Sequence, residues 1–228
     1  MISFAYDGDT AYFVANEARY PGRVVRAPLT AADIAAGFTG GVTTRIDTSA
    51  MNMGHIVVDA LDLRTDYTLH LGSKDNLTFY GDATWQPRLN DRDAPDRPNV
   101  GFVGFANGPL RWRANAGIDW NRGPFTIGAN GQYYSGYYAA DAALVNDYAT
   151  LNLPGTLIPP QFYLDMAMSY RFGGTAMNGP LHGIEFRLGI QNMLDHKARV
   201  TTMTSLGYSF YGDPRGRRFE GTIATHFR

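Results

Sequence analysis

The feature that most limits this fold is a strict alternation of side chains, sustained over long segments and repeated along the chain. Across Leu110–Trp120, one parity holds Leu110, Trp112, Ala114, Ala116, Ile118 and Trp120. The other holds Arg111, Arg113, Asn115, Gly117 and Asp119. A β-strand points successive side chains to opposite faces, so a period of two reads as strand. Phe162–Phe172, Ile184–Leu194 and Arg218–Phe227 repeat the pattern, and weaker copies run through Leu61–Leu69, Leu77–Trp85 and Phe125–Tyr133. A further weak strand is expected near Val42–Asp47.

The apolar parity of these segments carries no charge. The opposite parity holds Asp62, Arg64, Asp66, Asp82, Arg111, Arg113, Asp119, Asp165, Arg171, Glu185, Arg187, Arg218 and Glu220. Strands in water-soluble domains usually run to about five or six residues, whereas about nine to eleven tilted residues cross a bilayer's hydrocarbon. Connections alternate in length. Gly72–Asn76 and Asn121–Pro124 are short, while Pro87–Pro109, Ala139–Gln161 and Asp195–Gly216 are long, with Gly173–Gly183 between. Short turns at one end and long loops at the other mark outer-membrane barrels.

Aromatics agree with that reading. Trp85, Trp112, Trp120, Phe125, Tyr170, Phe172, Phe219 and Phe227 fall at or near strand ends on the apolar parity, where membrane barrels place their girdles. The alternative is a β-sandwich, in which the same rings would be core and the apolar faces would stack on each other. The expected fold is therefore all-β, an antiparallel transmembrane β-barrel of about eight strands over residues 41–228, preceded by an irregular segment over 1–40.

Composition removes other classes. Fourteen Tyr, thirteen Phe and three Trp with a net charge of −1 argue against disorder and against a nucleic-acid partner. Without cysteine there is no disulfide framework, thiolate chemistry or Cys-based metal site. No run of about eighteen apolar residues marks a transmembrane helix. The opening MISFAYDGDTAYF lacks the basic and apolar regions of a secretory signal.

Catalytic patterns are missing too: there is no Gly-x-Ser-x-Gly, no His-Glu-x-x-His and no phosphate-binding glycine loop. His55, His70, His182, His196 and His226 are scattered, and Ser169 is the one strand serine suited to nucleophilic work. No enzyme activity, cofactor or metal is expected. Arginine outnumbers lysine eighteen to two, and guanidinium suits crowded carboxylate pairing. Arg111, Arg113, Arg171 and Arg187 are accordingly expected to pair with Asp119, Asp165, Glu185 and Glu220 in a polar lumen. In the tyrosine-rich loop, Tyr134, Tyr137, Tyr138 and Tyr148 are candidates for stacking on a ligand; girdle and loop packing is the competing role.

Four stretches carry a resemblance. GRRFEGTIATHF (Gly216–Phe227) resembles the closing strand of TonB-dependent outer-membrane receptors, and LGIQNMLDHK (Leu188–Lys197) resembles their strand ending in an Asn-Leu-Phe-Asp-like motif. VDALDLRTDYTL with LTFYGDATW, and RWRANAGIDWNRGPFTIGANGQYYSGY, resemble adjacent strand pairs of that family. The resemblance runs from about Pro21 to Arg228. It implies energy-coupled uptake of a scarce nutrient across the outer membrane, such as a siderophore, cobalamin or saccharide. It also implies contact with outer-membrane lipid, with the barrel-assembly machinery through the last strand, and with the TonB energy-coupling protein through the rest of a receptor. Such receptors have about 22 strands and a lumen plug. About eight strands and no plug domain are expected here, and Arg228 extends one residue past the terminal aromatic. The expectation is a C-terminal piece of such a receptor's barrel, with re-closure as a small barrel as the alternative. A self-contained outer-membrane barrel with a structural or adhesive role is the second functional reading.

Overall fold

The computed structural model describes residues 2–6, 10–144, 156–173 and 183–225. Tyr148, Phe227, His182 and His226 lie outside them. The chain forms two compact units, Met1–Val57 with Asp91–Asn99, and Val58–Asn90 with Val100–Arg228. The expected boundary at residue 40 falls inside the first unit.

That first unit holds β1 (Ile2–Tyr6), α1 (Thr10–Ala15), β2 (Val24–Arg26), α2 (Ala31–Ala35), β3 (Thr43–Ile46) and the start of β4 (Met51–His70). Thr30 caps α2: its hydroxyl accepts the Asp33 N–H at 3.2 Å, and the Asp33 carboxylate accepts the Thr30 N–H at 2.9 Å. This reciprocal pair satisfies two donors that a helix start leaves free. Tyr12, Phe13, Val24 and Ala94 form the core, with Tyr20, Ile46, Met51 and Met53 against it. The Tyr12 hydroxyl donates to Asp96 at 2.5 Å; burial and that carboxylate push its phenol up. The weak strand expected at Val42–Asp47 exists as β3, but it pairs with β2 in a separate two-stranded antiparallel sheet.

In the second unit the rest of β4 is followed by β5 (Asp75–Arg92), β6 (Val100–Gly101), β7 (Trp112–Arg122), β8 (Phe125–Tyr134), β9 (Tyr137–Tyr138), β10 (Leu157–Ile158), β11 (Gln161–Arg171), β12 (Ile184–Gln191) and β13 (Arg218–Thr225). The main sheet has the hydrogen-bonded order β1-β4-β5-β7-β8-β11-β12-β13, with β6 on β5. All seven alternating segments read from the sequence are strands of this sheet. Their ends differ. Leu110 leaves the strand for a loop core, where it is buried, and β12 stops at Gln191 because Asn192 turns into the left-handed region at φ 49°.

Register decides what the faces become. Along the path β5-β7-β8-β11-β12-β13 each pairing is antiparallel. One row therefore runs Phe79, Ile118, Ala129, Met166, Ile190, Phe219, apolar in all six strands. The next face carries Asp82, Asn115, Gln132 and Tyr163 in line. A slip of one residue at any pairing would move a whole strand's apolar set to the wrong side. Close packing reinforces the register on the polar face: a Cβ at Gly117 would collide with the Tyr80 ring, whose hydroxyl accepts from Asn130 at 3.3 Å.

The short connections, residues 71–74 and 123–124, lie at one end of the strands, and the long ones at the other. Gly123, at φ 57°, makes the tight Asn-Arg-Gly-Pro turn possible, since a side chain is strained there. The sheet is antiparallel but open: among the described residues, the edge of Val58–His70 away from β5 and the edge of β13 away from β12 have no neighbour. Closure into a small barrel is thus not the arrangement found.

Candidate functional site

Two features of the second unit are candidates for function: the bare apolar face, and a polar cleft at the long-loop end. The face is uncovered. Ile118, Phe79, Met168, Leu188 and Ile223 are 36–67% exposed, where a sandwich would bury them. Contiguous apolar patches of this extent mark contact with a membrane or a partner. Its aromatics gather at the two ends. Trp85 stacks on Trp112 at 5.7 Å toward the long loops. Toward the short turns, Trp120 meets Phe125 edge-on at 5.9 Å, and Phe172 touches Tyr170 at 4.7 Å and Phe186 at 5.7 Å. Phe219 joins the long-loop end. Tyr133 and Phe162, paired directly across β8 and β11, lie at that end as well; their place on the apolar parity was the signal for them.

The opposite face is held by hydrogen bonds more than by the expected ion-pair ladder. Of the expected ladder, only Arg171, Glu185 and Arg187 come together as charges among the described residues: Glu185, 3% exposed, takes Arg171 at 2.7 Å and Arg187 at 2.5 Å. Asp165 instead accepts the Asn192 N–H at 2.7 Å and the Gln132 amide at 3.4 Å. Glu220 accepts from Gln191 at 2.6 Å. Arg111, Arg113 and Asp119 make no ion pair among the described residues. The physical reason is register. Asp119 sits opposite Thr78 and Gly128, and Arg113 opposite Thr84 and Tyr134, so no opposite charge is directly across from either.

The cleft, of about 490 Å³, lies where the 192–217 connection folds over the ends of β8, β11, β12 and β13. Gln132, Tyr134, Asp165 and Gln191 line it from the sheet, Tyr211 and Asp213 from the connection. The connection starts in a clasp. Asn192, 2% exposed, donates its amide to the His196 carbonyl at 2.9 Å and accepts the His196 N–H at 2.8 Å. Asp195, also left-handed at φ 53°, accepts the Arg217 N–H at 3.0 Å. Lys197 and Arg217 hold its carboxyl below the usual range. The quartet Asn192-Met193-Leu194-Asp195 thus ties both ends of the connection together.

Tyrosines anchor its middle. Tyr137 accepts the Phe210 N–H at 2.8 Å and Tyr163 accepts the Asp213 N–H at 3.1 Å. Ser209 donates to Gln161 at 3.4 Å. Asp213 accepts from Arg215 at 2.9 Å and from Arg218 at 2.8 Å; those guanidiniums hold its carboxyl far below the usual carboxylate range.

Of the tyrosines proposed to face a ligand, Tyr134 lines the cleft and stacks on Tyr211 at 5.1 Å. Tyr137 does not; it is 2% exposed within the core of Leu110, Ala139 and Ile158. Tyr138 lies outside the cleft, stacked on Phe105 at 5.4 Å. Tyr163 and Tyr211 were missed: alternation places Tyr163 on the polar face of its strand without pointing to a cleft there, and the connection carrying Tyr211 has no periodicity to place it. The described residues contain no cluster of three metal-ligating side chains, and Ser169 faces Thr126 and Arg187 across the sheet.

Comparison with protein families, with curated proteins and with solved structures finds no match to this chain.

Proposed function

We propose that this chain forms part of the wall of an outer-membrane β-barrel, as the C-terminal barrel segment of a TonB-dependent receptor importing a scarce nutrient. The observation that carries the membrane part is the apolar row from Phe79 to Phe219, in register over six strands and uncovered. An outward apolar band with a polar interior is how such barrels meet lipid. The receptor part rests on the sequence resemblance, and the clasp at Asn192–Asp195 gives its motif a structural purpose. In this reading the partners are outer-membrane lipid, the assembly machinery at β13, the rest of the receptor and, through it, the TonB protein. The cleft beside Tyr134 and Tyr211 is where the long-loop side offers a ligand polar groups and an aromatic wall.

The test uses the three native tryptophans, all on the apolar face. The purified chain is folded into vesicles with bromine placed at graded depths along the acyl chains. Trp85, Trp112 and Trp120 are expected to be quenched, most strongly by shallow bromines. A chain that stays soluble without detergent and shows no quenching overturns the proposal. Growth on a limiting nutrient, compared between cells with and without the gene, tests the transport part.

A further inference from the structure

At the long-loop end the apolar face meets a pair of cations. Two rows of outward side chains cross β11, β12 and β13: Met166, Ile190 and Phe219 in one, Met168 and Leu188 in the next, where β13 supplies Gly221 and no side chain. Between the rows lie Ala167, Gly189 and Glu220. Their side chains belong to the opposite face, so the floor here is backbone. The result is an apolar groove of about 370 Å³, lined also by Met193 from the connection after β12. Leu188 and Phe219 stay 54% and 74% exposed, so the chain does not cover it. Three of its side chains are methionines, which adapt to an irregular apolar occupant.

The cations stand at its Met193 end. Arg217 gives a guanidinium N–H to the Met193 carbonyl at 3.4 Å. Lys197 donates to Asp195 at 2.9 Å, and the same carboxylate accepts the Arg217 N–H at 3.0 Å. Two cations therefore share one carboxylate, which leaves a local charge of one positive unit. The neighbouring charges of β13 are taken on the other face, Arg218 by Asp213 and Glu220 by Gln191. A guanidinium has five N–H donors and an ammonium three, so Arg217 and Lys197 keep donors to spare. Phosphate oxygens are acceptors of the kind such donors hold best.

We propose that this junction is a seat for one anionic, phosphate-bearing lipid, with an acyl chain in the groove and the phosphate between Arg217 and Lys197. A lipid alone combines the two chemistries that meet here, an uncharged chain and a charged head. The inference rests on the membrane reading and adds to it a selective site within the lipid-facing surface.

The test folds the full chain into vesicles of equal parts phosphatidylglycerol and phosphatidylcholine, extracts it in mild detergent and weighs it intact by mass spectrometry. Phosphatidylglycerol is expected to stay bound, preferred about fivefold over phosphatidylcholine, as one uncompensated basic charge beside an acidic lipid provides. Lys197→Gln combined with Arg217→Gln is expected to abolish the preference. Gly221→Phe is expected to lower retention of both lipids, because its ring covers the groove beside Leu188; a Cβ there meets only Leu188, at 3.8 Å. An equal hold on both lipids, a preference that survives loss of the two cations, or retention untouched by Gly221→Phe overturns the proposal. So does displacement by glycerophosphate, which would mark a site for free phosphate, or a lipid-free dimer, in which a second copy covers the groove. Bromine quenching of the tryptophans in the same vesicles separates the two failures: quenching without lipid preference sinks only this inference, and no quenching sinks the membrane reading beneath it.

Discussion

Asp165 on β11 accepts the backbone N–H of Asn192 at 2.7 Å, so a strand carboxylate fixes the residue at which the neighbouring strand ends. The bond explains why β12 stops where it does. Asn192 enters the left-handed region, which asparagine tolerates better than most residues, and its amide closes both hydrogen bonds to His196.

Asn192→Ala removes both of those bonds and leaves a left-handed alanine. The expected loss is about 1–3 kcal/mol, localised to the connection. Limited proteolysis is expected to cut within residues 193–217 at least tenfold faster than in the parent, with the strands intact. Asp165→Asn is expected to give a milder version, since an amide oxygen still accepts.

The Asp213 pair sets an acid limit. Its pKa is depressed by Arg215 and Arg218, so its contribution is complete above the ordinary carboxylate value of about 3.9. That contribution is lost only as pH falls through the much lower folded value. Met203, packed in the loop core, gives a methyl NMR signal that is expected to hold its position down to about pH 3. In Asp213→Asn the signal is expected to report a looser loop already at neutral pH, with the acid transition gone.

Gly117 and Tyr80 are expected to be coupled. Gly117→Ala drives a methyl into the Tyr80 ring and is expected to cost about 1–3 kcal/mol. Tyr80→Ala alone loses the ring's packing and the Asn130 contact. The double variant is expected to be more stable than the sum of the two losses implies, by at least 0.5 kcal/mol. Urea unfolding of all four proteins measures this.

A charge at the middle of the apolar face separates lipid from water. Ile118→Arg is expected to lower folding into bilayers by about 2–4 kcal/mol, while Asn130→Arg on the opposite face is expected to change it by less than about 1 kcal/mol. Equal tolerance of both substitutions would mean that neither face meets hydrocarbon.

How much of this was legible beforehand follows from where periodicity exists. The strands were, because alternation names both the element and its two faces; Ile118 and Asp119 belong to opposite sides in the sequence as in the fold. Pairing partners were less so. The ladder expected from Arg111, Arg113, Asp119, Asp165 and Glu220 requires knowing which residues lie directly across, and register is a property of two strands that one strand's pattern leaves open. Only Glu185, opposite Arg171 and two residues from Arg187 on the same face, met its partners. The cleft was least legible. Tyr211 and Asp213 sit in a connection whose shape comes from side-chain clasps on backbone groups, and Tyr137 looked like a ligand platform although it is an acceptor inside a core.

The stacked indoles of Trp85 and Trp112, 5.7 Å apart and inclined by 21°, give the molecule a built-in optical gauge. Two such chromophores at this spacing share their excitation, so the pair is expected to give a circular-dichroism couplet that neither ring has by itself. Because one indole belongs to β5 and the other to β7, the couplet exists only while those strands hold their native alignment, and its appearance during refolding times the moment at which they lock.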